Sequence, residues 1–418
     1  MEDLALRAAE RPVSCRFCGS LRQSLVADLG TQVPANAFVP LDRAHETEER
    51  FPLRAVVCHD CWLVGLDYVV PPETIFRNYA YLSSYSPSWV QHAARFVDTA
   101  VARFDLDARS LVLEIASNDG YLLQHVVERG IGTLGVEPAE NIAALALAKG
   151  IATEVAFFDP AVADRLRARG VSADLVVANN VLAHVPSPGS IVSGLPLVLA
   201  PDGVVSIEVP HLQCLLQGSE FDTIYHEHYS YFSLGFLRRL LDASRLRVFD
   251  VERLTTHGGS LRVLACHRSS PRPTEPTVAQ VVADEIAAGL EQPETFARFG
   301  TQVLRVRHDL LAFLAVARQE GRTVAGYGAA AKGNTLLNYC GIGADDIQYV
   351  VDLNPLKQGH LLPQSRIPVL APERLAETRP DYVLILPWNL RDEIVRSMSH
   401  IRDWGGRFVV AVPRLELI

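Results

Sequence analysis

Apolar runs of strand length alternate with helical stretches from about residue 110 onward. Continuous apolar strands separated by helices predict the βαβ units of a parallel sheet. We expect the first α/β domain here, ending near His267. Its strand-like runs are LVLEIA at 111–116, GTLGVEP at 132–138, ADLVVANNV at 173–181 and GVVSIEVP at 203–210.

A second set of apolar runs occupies the C-terminal part of the chain. The Pro-rich segment SSPRPTEP predicts a linker, and residues 278–319 have the periodicity of one or two helices. The strand-like runs TVAGYGAA, IQYVVDLN, DYVLILPW and FVVAVP follow. The pattern therefore predicts an α/β protein of three units: a small N-terminal module at 1–75, a central Rossmann-like domain at 76–268, and linker helices with a C-terminal Rossmann-like domain at 269–418.

The length and composition of the chain limit the classes of binding partner that we expect. A chain of 418 residues is long enough for more than one domain. Its formal net charge of -9 argues against a nucleic-acid partner. No apolar run approaches the length of a membrane span, and the N-terminus lacks the pattern of a secretion signal. We expect a cytoplasmic protein that acts on a small molecule, with neither nucleic acid nor membrane as partner.

The N-terminal module carries two Cys-x-x-Cys pairs. Four thiolates in two such pairs suit the tetrahedral sulfur shell of a structural zinc ion. A redox pair and unconnected thiols are the alternatives, and the other three cysteines are expected in the core. The candidate zinc ligands are Cys15, Cys18, Cys58 and Cys61.

The turn after the first strand of the central domain, within LVLEIASNDGYLL, is a candidate cofactor loop. Acidic residues near the ends of the first two strands and an Asn pair after the fourth resemble S-adenosylmethionine-dependent methyltransferases. A nicotinamide-binding domain would keep more glycines in this turn, and an α/β domain with no nucleoside ligand is the third alternative. The candidate cofactor residues are Glu114, Ser117, Asn118, Gly120, Glu137, Asn179 and Asn180.

Phe158 and Asp159 follow the expected third strand, beside Phe157. In methyltransferases of this kind that position holds the adenine, so an aromatic ring could stack on the base while Asp159 accepts its amino proton. Adjacent phenylalanines are also common in hydrophobic cores, and that alternative stays open.

Several motifs along the chain resemble those of one family: CRFCGS, CHDCWLVGL, YAYLSSYSPSWVQHA, EIASNDGYLL, NVLAHVP, YHEHYSYFS, HGGSLRV and GYGAAAKGNTLLNY. Together they resemble the sugar C-methyltransferases of bacterial deoxysugar pathways, such as those that build mycarose or tetronitrose on a thymidine diphosphate carrier. The resemblance implies a zinc module, an S-adenosylmethionine domain and a C-terminal domain that helps to hold the sugar nucleotide. It also implies a monomer, and leaves methylation at C3 or C5 open, with C3 the usual position.

The segment YHEHYSYFS, residues 225–233, concentrates proton-handling side chains. A carbon next to a ketone becomes nucleophilic only after it loses a proton, so such an enzyme needs a base and groups that stabilise the enolate. The resemblance implies that His228 is the base. It places Tyr225, Glu227, His184 and Tyr79 in the same site.

The conformation of this segment can also be predicted. In a strand, Glu227 and His228 would point to opposite faces, so we expect a loop that lets both reach one substrate. His226 has no role in this scheme and is expected to be structural. We expect the zinc ion to be a folding element distant from the chemistry.

AGYGAAAKGNTLLNY, in the C-terminal domain, places glycines between a strand and a helix. Such a turn can present backbone N–H groups to phosphate, and the resemblance favours the sugar-nucleotide diphosphate over NAD. The candidate substrate residues are Gly328, Lys332 and Asn334. A nicotinamide-dependent sugar-nucleotide oxidoreductase or epimerase, and a non-catalytic sugar-nucleotide binding protein, remain the alternative functions.

Overall fold

The computed structural model describes residues 13–72, 75 and 82–418. The described strands are β1 (Gln23–Gln32), β2 (Val39–Pro40), β3 (Phe51–Cys58), β4 (Val64–Leu66), β5 (Leu111–Ile115), β6 (Gly132–Val136), β7 (Thr153–Glu154), β8 (Ala173–Asn179), β9 (Leu199–Pro210), β10 (Ser230–Tyr231), β11 (Leu246–Leu254), β12 (Ser260–His267), β13 (Val324–Tyr327), β14 (Val350–Val351), β15 (His360–Leu361), β16 (Val369–Leu370), β17 (Tyr382–Ile385), β18 (Arg407–Val410) and β19 (Glu416–Leu417).

The described helices cover the sheets and connect them. They are α1 (Pro87–Phe104), α2 (Leu123–Val127), α3 (Glu140–Ala148), α4 (Pro160–Ala168), α5 (Pro188–Val198), α6 (Leu212–Gln217), α7 (Leu234–Ala243), α8 (Pro276–Ala287), α9 (Pro293–Gln319), α10 (Ala331–Cys340), α11 (Arg374–Thr378) and α12 (Arg391–Ser397). No helix in the described ranges is both long enough and apolar enough to cross a membrane.

The N-terminal sheet has four strands in the order β1-β3-β4-β10. The first three come from the N-terminal module and pair antiparallel. The fourth, β10, comes from the middle of the chain and pairs Ser230 with Gly65 and Tyr231 with Val64. The segment that holds the candidate base therefore runs directly into the sheet of the N-terminal module.

The central sheet has seven strands in the order β11-β12-β9-β8-β5-β6-β7. Strands β5 to β9 are parallel, whereas β11 and β12 pair antiparallel at one edge. Both faces are covered: Val176 of β8 packs in one apolar cluster, and its neighbour Val177 packs in another. Since side chains alternate across a strand, both must be apolar, and this explains the continuous apolar runs.

The C-terminal sheet has six strands in the order β16-β14-β13-β17-β18-β19. All of them are parallel except β19. Helix α8 packs on β11 of the central sheet, and the long helix α9 packs on β1 of the N-terminal sheet. The predicted α/β fold class is confirmed, with the cysteine-bearing module followed by two α/β units. The exact domain limits stay predictions.

Candidate active site

The predicted cofactor residues gather at the carboxyl edge of the central sheet. Glu114 lies near the end of β5, Glu137 directly follows β6, and Asn179 ends β8. Ligands of open parallel sheets bind at this edge, because the loops that follow the strands line one common crevice there. The parallel strand pairing thus brings together residues far apart in the sequence.

The turn after β5 adopts backbone conformations that glycine usually supplies. Ala116 and Asn118 have φ values of 53° and 51°, and Gly120 has a φ of 78°. The Asn118 N–H donates to the Glu137 carboxylate at 3.0 Å, and its side-chain oxygen accepts from the Ser83 N–H at 2.9 Å. Side-chain contacts therefore hold the turn that the sequence presents as a degenerate glycine loop.

Several buried oxygens at this edge have no partner within the described part of the chain. These oxygens belong to side chains at the carboxyl edge of the central sheet, and burying a polar atom without a hydrogen-bond partner is costly. Burial raises the pKa of Glu114 well above its usual range and also raises that of Glu137. A ligand with ammonium and hydroxyl donors, such as S-adenosylmethionine, fits this set of acceptors. The unpaired atoms are Glu114 Oε2, Ser117 Oγ, Asp119 Oδ1, Asn179 Oδ1 and Asn180 Oδ1.

Phe158 and Asp159 have structural contacts of their own. The Phe158 ring is buried in the core against Gly194, where an added Cβ would lie 2.9 Å from the ring. Asp159 caps α4 by accepting the Val162 N–H at 2.8 Å. Phe157 is the exposed member of the pair. The structure thus accounts for both residues without adenine, and the adenine contact stays a prediction.

His228 is held at both ring nitrogens. Its Nδ1 lies 2.9 Å from the Thr223 carbonyl oxygen, and its Nε2 lies 2.9 Å from the Tyr225 hydroxyl. A carbonyl can only accept, so Nδ1 carries the proton and Nε2 has the free electron pair. The contacts therefore select the tautomer whose Nε2 can take a proton.

The surroundings keep His228 neutral. Burial lowers its pKa well below the usual range, and the neighbouring His184 lowers it further. The two rings lie 4.8 Å apart, and burial lowers the pKa of His184 to about 4. A neutral imidazole at neutral pH is the form that accepts protons.

The segment around His228 is irregular, as predicted, and β10 begins only at Ser230. His226 donates to the carbonyls of Phe51 and Pro52 and is buried, in keeping with its expected structural role. Glu227 is buried too, and burial raises its pKa to about 7. Its carboxylate oxygens accept the Asn36 amide at 2.7 and 2.8 Å.

Lys332 is the predicted substrate residue whose charge acts on the candidate base His228. Its ammonium donates to Asn389 Oδ1 at 2.8 Å and lies 4.3 Å from the centre of the Trp388 ring. Burial lowers its pKa, whereas the charges of Asp222 and Glu220 oppose this shift. Lys332 in turn lowers the pKa of His228, which places its charge within electrostatic reach of the candidate base.

The glycine turn before Lys332 is closed by acceptors of the chain itself. The Gly328 N–H donates to the Val351 carbonyl at 2.7 Å, and the Ala329 N–H donates to Asp352 Oδ2 at 2.7 Å. Asn334 donates to the Ala35 carbonyl at 2.6 Å. The turn therefore does not present these N–H groups to phosphate, and the predicted diphosphate contacts of Gly328 and Asn334 gain no support from this geometry.

The four candidate zinc ligands converge as predicted. Their sulfur atoms all lie within 4.8 Å of one another, with Cys15 and Cys61 at 3.5 Å and Cys18 and Cys58 at 3.6 Å. Zn–S bonds of about 2.3 Å in a tetrahedron put sulfurs about 3.8 Å apart, so this set fits zinc.

The zinc module contacts the segment that holds the candidate base. Arg16, between two of the cysteines, donates to the Tyr229 carbonyl and to Ser230 Oγ, the latter at 3.0 Å. These residues directly follow His228. Arg16 and strand β10 therefore join the segment of the candidate base to this module, and the distance of the zinc ion from the chemistry stays a prediction.

Several residues of the site carry no recognisable sequence signal. Asn36, Asp222 and Trp388 lie far apart in the chain, and Trp388 Nε1 donates to Asp222 Oδ2 at 2.8 Å. His257 differs from these three, because it belongs to the HGGSLRV motif; it lies 3.4 Å from the Asn180 amide and beside the Trp89 ring. Tyr79, predicted for the same site, lies outside the described residues.

Three family models match successive parts of the chain. A "Putative zinc binding domain" matches residues 15–76, a "Methyltransferase domain" matches 89–250, and a "C-methyltransferase C-terminal domain" matches 255–413. The cysteine cluster lies within the first match, strands β5 to β9 of the central sheet lie within the second, and strands β13 to β18 of the C-terminal sheet lie within the third.

One curated relative matches over nearly the whole chain. It is the C-methyltransferase NovU of Streptomyces niveus, 38% identical over 409 residues, which are 98% of this chain and 97% of the relative. Among solved structures, magnesium protoporphyrin IX methyltransferase of Synechocystis with bound SAM is 16% identical over 48% of this chain and 99% of its own, with a TM-score of 0.35. The PH0226 protein of Pyrococcus horikoshii is 13% identical over 46% and 98%, with a TM-score of 0.36.

Proposed function

The chain belongs to the C-methyltransferase family, and from this premise we propose that it methylates C3 of a nucleotide-linked 4-keto-6-deoxy sugar, by way of an enolate. It is an enzyme with S-adenosylmethionine as methyl donor and a zinc-binding N-terminal domain. The nicotinamide-dependent and non-catalytic alternatives are thereby set aside. The thymidine diphosphate carrier of the sugar is part of the proposal.

The geometry of His228 is the observation that supports this chemistry. Its protonated Nδ1 is fixed on the Thr223 carbonyl, so Nε2 is the atom that takes the proton from C3. The electron pair of the C–H bond then moves into the enolate, and charge develops on the ketone oxygen. Tyr225, which now contacts Nε2, is placed to donate a hydrogen bond from its hydroxyl group to that oxygen. Donors aimed at developing charge lower the barrier most.

The rest of the site orients the reactants. The acceptors at the carboxyl edge of the central sheet would hold the methyl donor, with Glu114 and Glu137 facing its ammonium and hydroxyl groups. When bound, S-adenosylmethionine supplies an electrophilic methyl group to C3, and S-adenosylhomocysteine leaves. Lys332 adds a half-buried positive charge within electrostatic reach of His228, where it favours the anionic enolate.

Solvent deuterium exchange tests the proposal directly. With S-adenosylhomocysteine bound, the wild-type enzyme should exchange the C3 proton of a thymidine diphosphate 4-keto-6-deoxy sugar in deuterium oxide. We expect His228→Asn to slow this exchange about 10²- to 10⁴-fold, since that is the usual contribution of a general base. The measurement is NMR loss of the C3 proton signal.

His226→Asn is the matched control, because this ring lies in the same segment and bonds to backbone carbonyls of β3. It should exchange at the wild-type rate once the affinity for S-adenosylhomocysteine shows that it has folded. Unchanged exchange in His228→Asn would remove His228 from the role of base. Exchange at C5 instead of C3 would move the site of methylation.

A further inference from the structure

We propose that Asn36, in the zinc-binding module, is a positioning residue that holds the Glu227 carboxylate in its ionised, acceptor form at the substrate side of the active site. The inference rests on the proposed function in one respect: the ionised Glu227 carboxylate would accept a hydrogen bond from a hydroxyl group of the sugar substrate. The contact itself is independent of that function.

The contact is made by one amide against both carboxylate oxygens. Asn36 Nδ2 lies 2.7 Å from Oε1 and 2.8 Å from Oε2 of Glu227. An amide N–H₂ group can only donate, so both oxygens act as acceptors, as they do in a carboxylate ion. Glu227 is almost completely buried, whereas Asn36 is exposed. The amide thus reaches a buried acid from the solvent side.

The donor is needed because the carboxylate is poorly solvated. Burial raises the pKa of Glu227 to about 7, and the Asn36 hydrogen bond and the Lys357 charge oppose this rise. Lys357 is the charged group that acts on the carboxylate within the described part of the chain. His184 contacts the backbone of Glu227. Loss of the amide would favour the protonated acid.

The loop that carries Asn36 is fixed by the C-terminal domain. The Ala35 carbonyl accepts the Asn334 amide at 2.6 Å, and the Val33 N–H donates to Gln364 Oε1 at 3.2 Å. Immediately after the loop, β2 pairs with β15. Asn36 is therefore held between two domains, and its amide does not have to be ordered when substrate binds.

Asn36→Ala should displace the acidic limb of the pH profile of kcat/KM upward by about one unit, which at pH 7 is a loss of about fivefold. Asn36→Asp, which places a second carboxylate beside Glu227, should displace it further. Because Asn36 is exposed, neither variant opens a cavity in the core. Gln23→Ala is the matched control, since this amide of the same module bonds to Val13 and Ser20 carbonyls away from Glu227.

A double-mutant cycle separates positioning from a general structural role. In a Glu227→Gln background, Asn36→Ala should have almost no further effect on kcat/KM, because the ionisation it protects is gone. An equal loss in both backgrounds, or a pH profile that stays in place, would overturn the proposal.

A direct titration keeps this test apart from the proposed function. Infrared difference spectroscopy between wild type and Glu227→Gln isolates the carboxylate stretching band of Glu227. The pH dependence of this band gives the pKa of Glu227 without any substrate. Asn36→Ala should raise that pKa, even if no sugar nucleotide is turned over. An unchanged pKa would overturn the positioning role, whereas a raised pKa with no proton exchange would count against the sugar substrate alone.

Discussion

Tyr225 and Tyr229 lie in one short segment but differ in what they contact. The Tyr225 hydroxyl meets the free nitrogen of His228 at 2.9 Å, whereas the Tyr229 hydroxyl donates to the Val70 carbonyl at 2.8 Å. The first contact is with the candidate base and the second is with the backbone. Identical residue types four positions apart therefore serve different purposes, and only their partners distinguish them.

Tyr225→Phe should lower kcat about 10²-fold, because it removes the proposed donor to the enolate oxygen. Tyr229→Phe should keep kcat and lose about 1 kcal/mol of unfolding free energy, the usual value of one buried hydrogen bond. Steady-state kinetics and urea unfolding of both variants check this pair. Equal kcat values for the two variants would contradict the role of Tyr225.

At the scale of elements, the turn Phe221–Thr223 links the C-terminal domain to the candidate base. Its Thr223 carbonyl fixes the tautomer of His228, and its Asp222 carboxylate is bound by Trp388 from the turn after β17. Burial raises the pKa of Asp222 to about 6, and the Lys332 charge and the indole donor oppose this rise. A contact from another domain thereby supports the group that orients the base.

Trp388→Phe should lower kcat about tenfold and leave the affinity for S-adenosylhomocysteine within about twofold of wild type. The reason is that the turn loses its anchor while the cofactor edge is untouched. Trp404→Phe is the control, since its indole donates to the Pro380 carbonyl inside the C-terminal domain. If Trp404→Phe lowers kcat as much as Trp388→Phe does, the loss of any tryptophan donor in the C-terminal domain damages the enzyme, and the specific role of Trp388 is contradicted. Calorimetric titration and turnover measure both quantities.

At the scale of the molecule, three units contribute to the surroundings of the segment that holds the candidate base. The zinc module supplies Arg16 and the strand that pairs with β10, the central domain supplies the cofactor edge, and the C-terminal domain supplies Lys332. The zinc ion, as a folding element, should therefore affect chemistry through the position of the segment.

Replacing Cys58 and Cys61 with serine should remove about one zinc ion per chain and abolish C3 proton exchange. Binding of S-adenosylhomocysteine should persist, because its acceptors lie at the edge of the central sheet. Cys214→Ser, a thiol outside the cluster, should retain zinc and exchange. Metal analysis measures the zinc content, calorimetric titration measures S-adenosylhomocysteine binding, and NMR measures C3 proton exchange. Full exchange in the variant that lacks zinc would contradict the proposed dependence of the chemistry on the zinc module.

The sequence alone determines features that depend on local order along the chain. Continuous apolar runs predict a parallel sheet that is covered on both faces, and two Cys-x-x-Cys pairs predict a cluster of four sulfurs. Both predictions depend only on the spacing of residues along the chain. Glu114, Glu137 and Asn179 could be placed at one edge for the same reason. Tertiary structure alone decided that β10 joins the zinc module to the segment of the candidate base, that Asp352 closes the glycine turn, and that Asn36 and Trp388 bind Glu227 and Asp222. These are contacts between residues distant in the chain, and they depend on how separate domains pack, which no local pattern of polarity encodes.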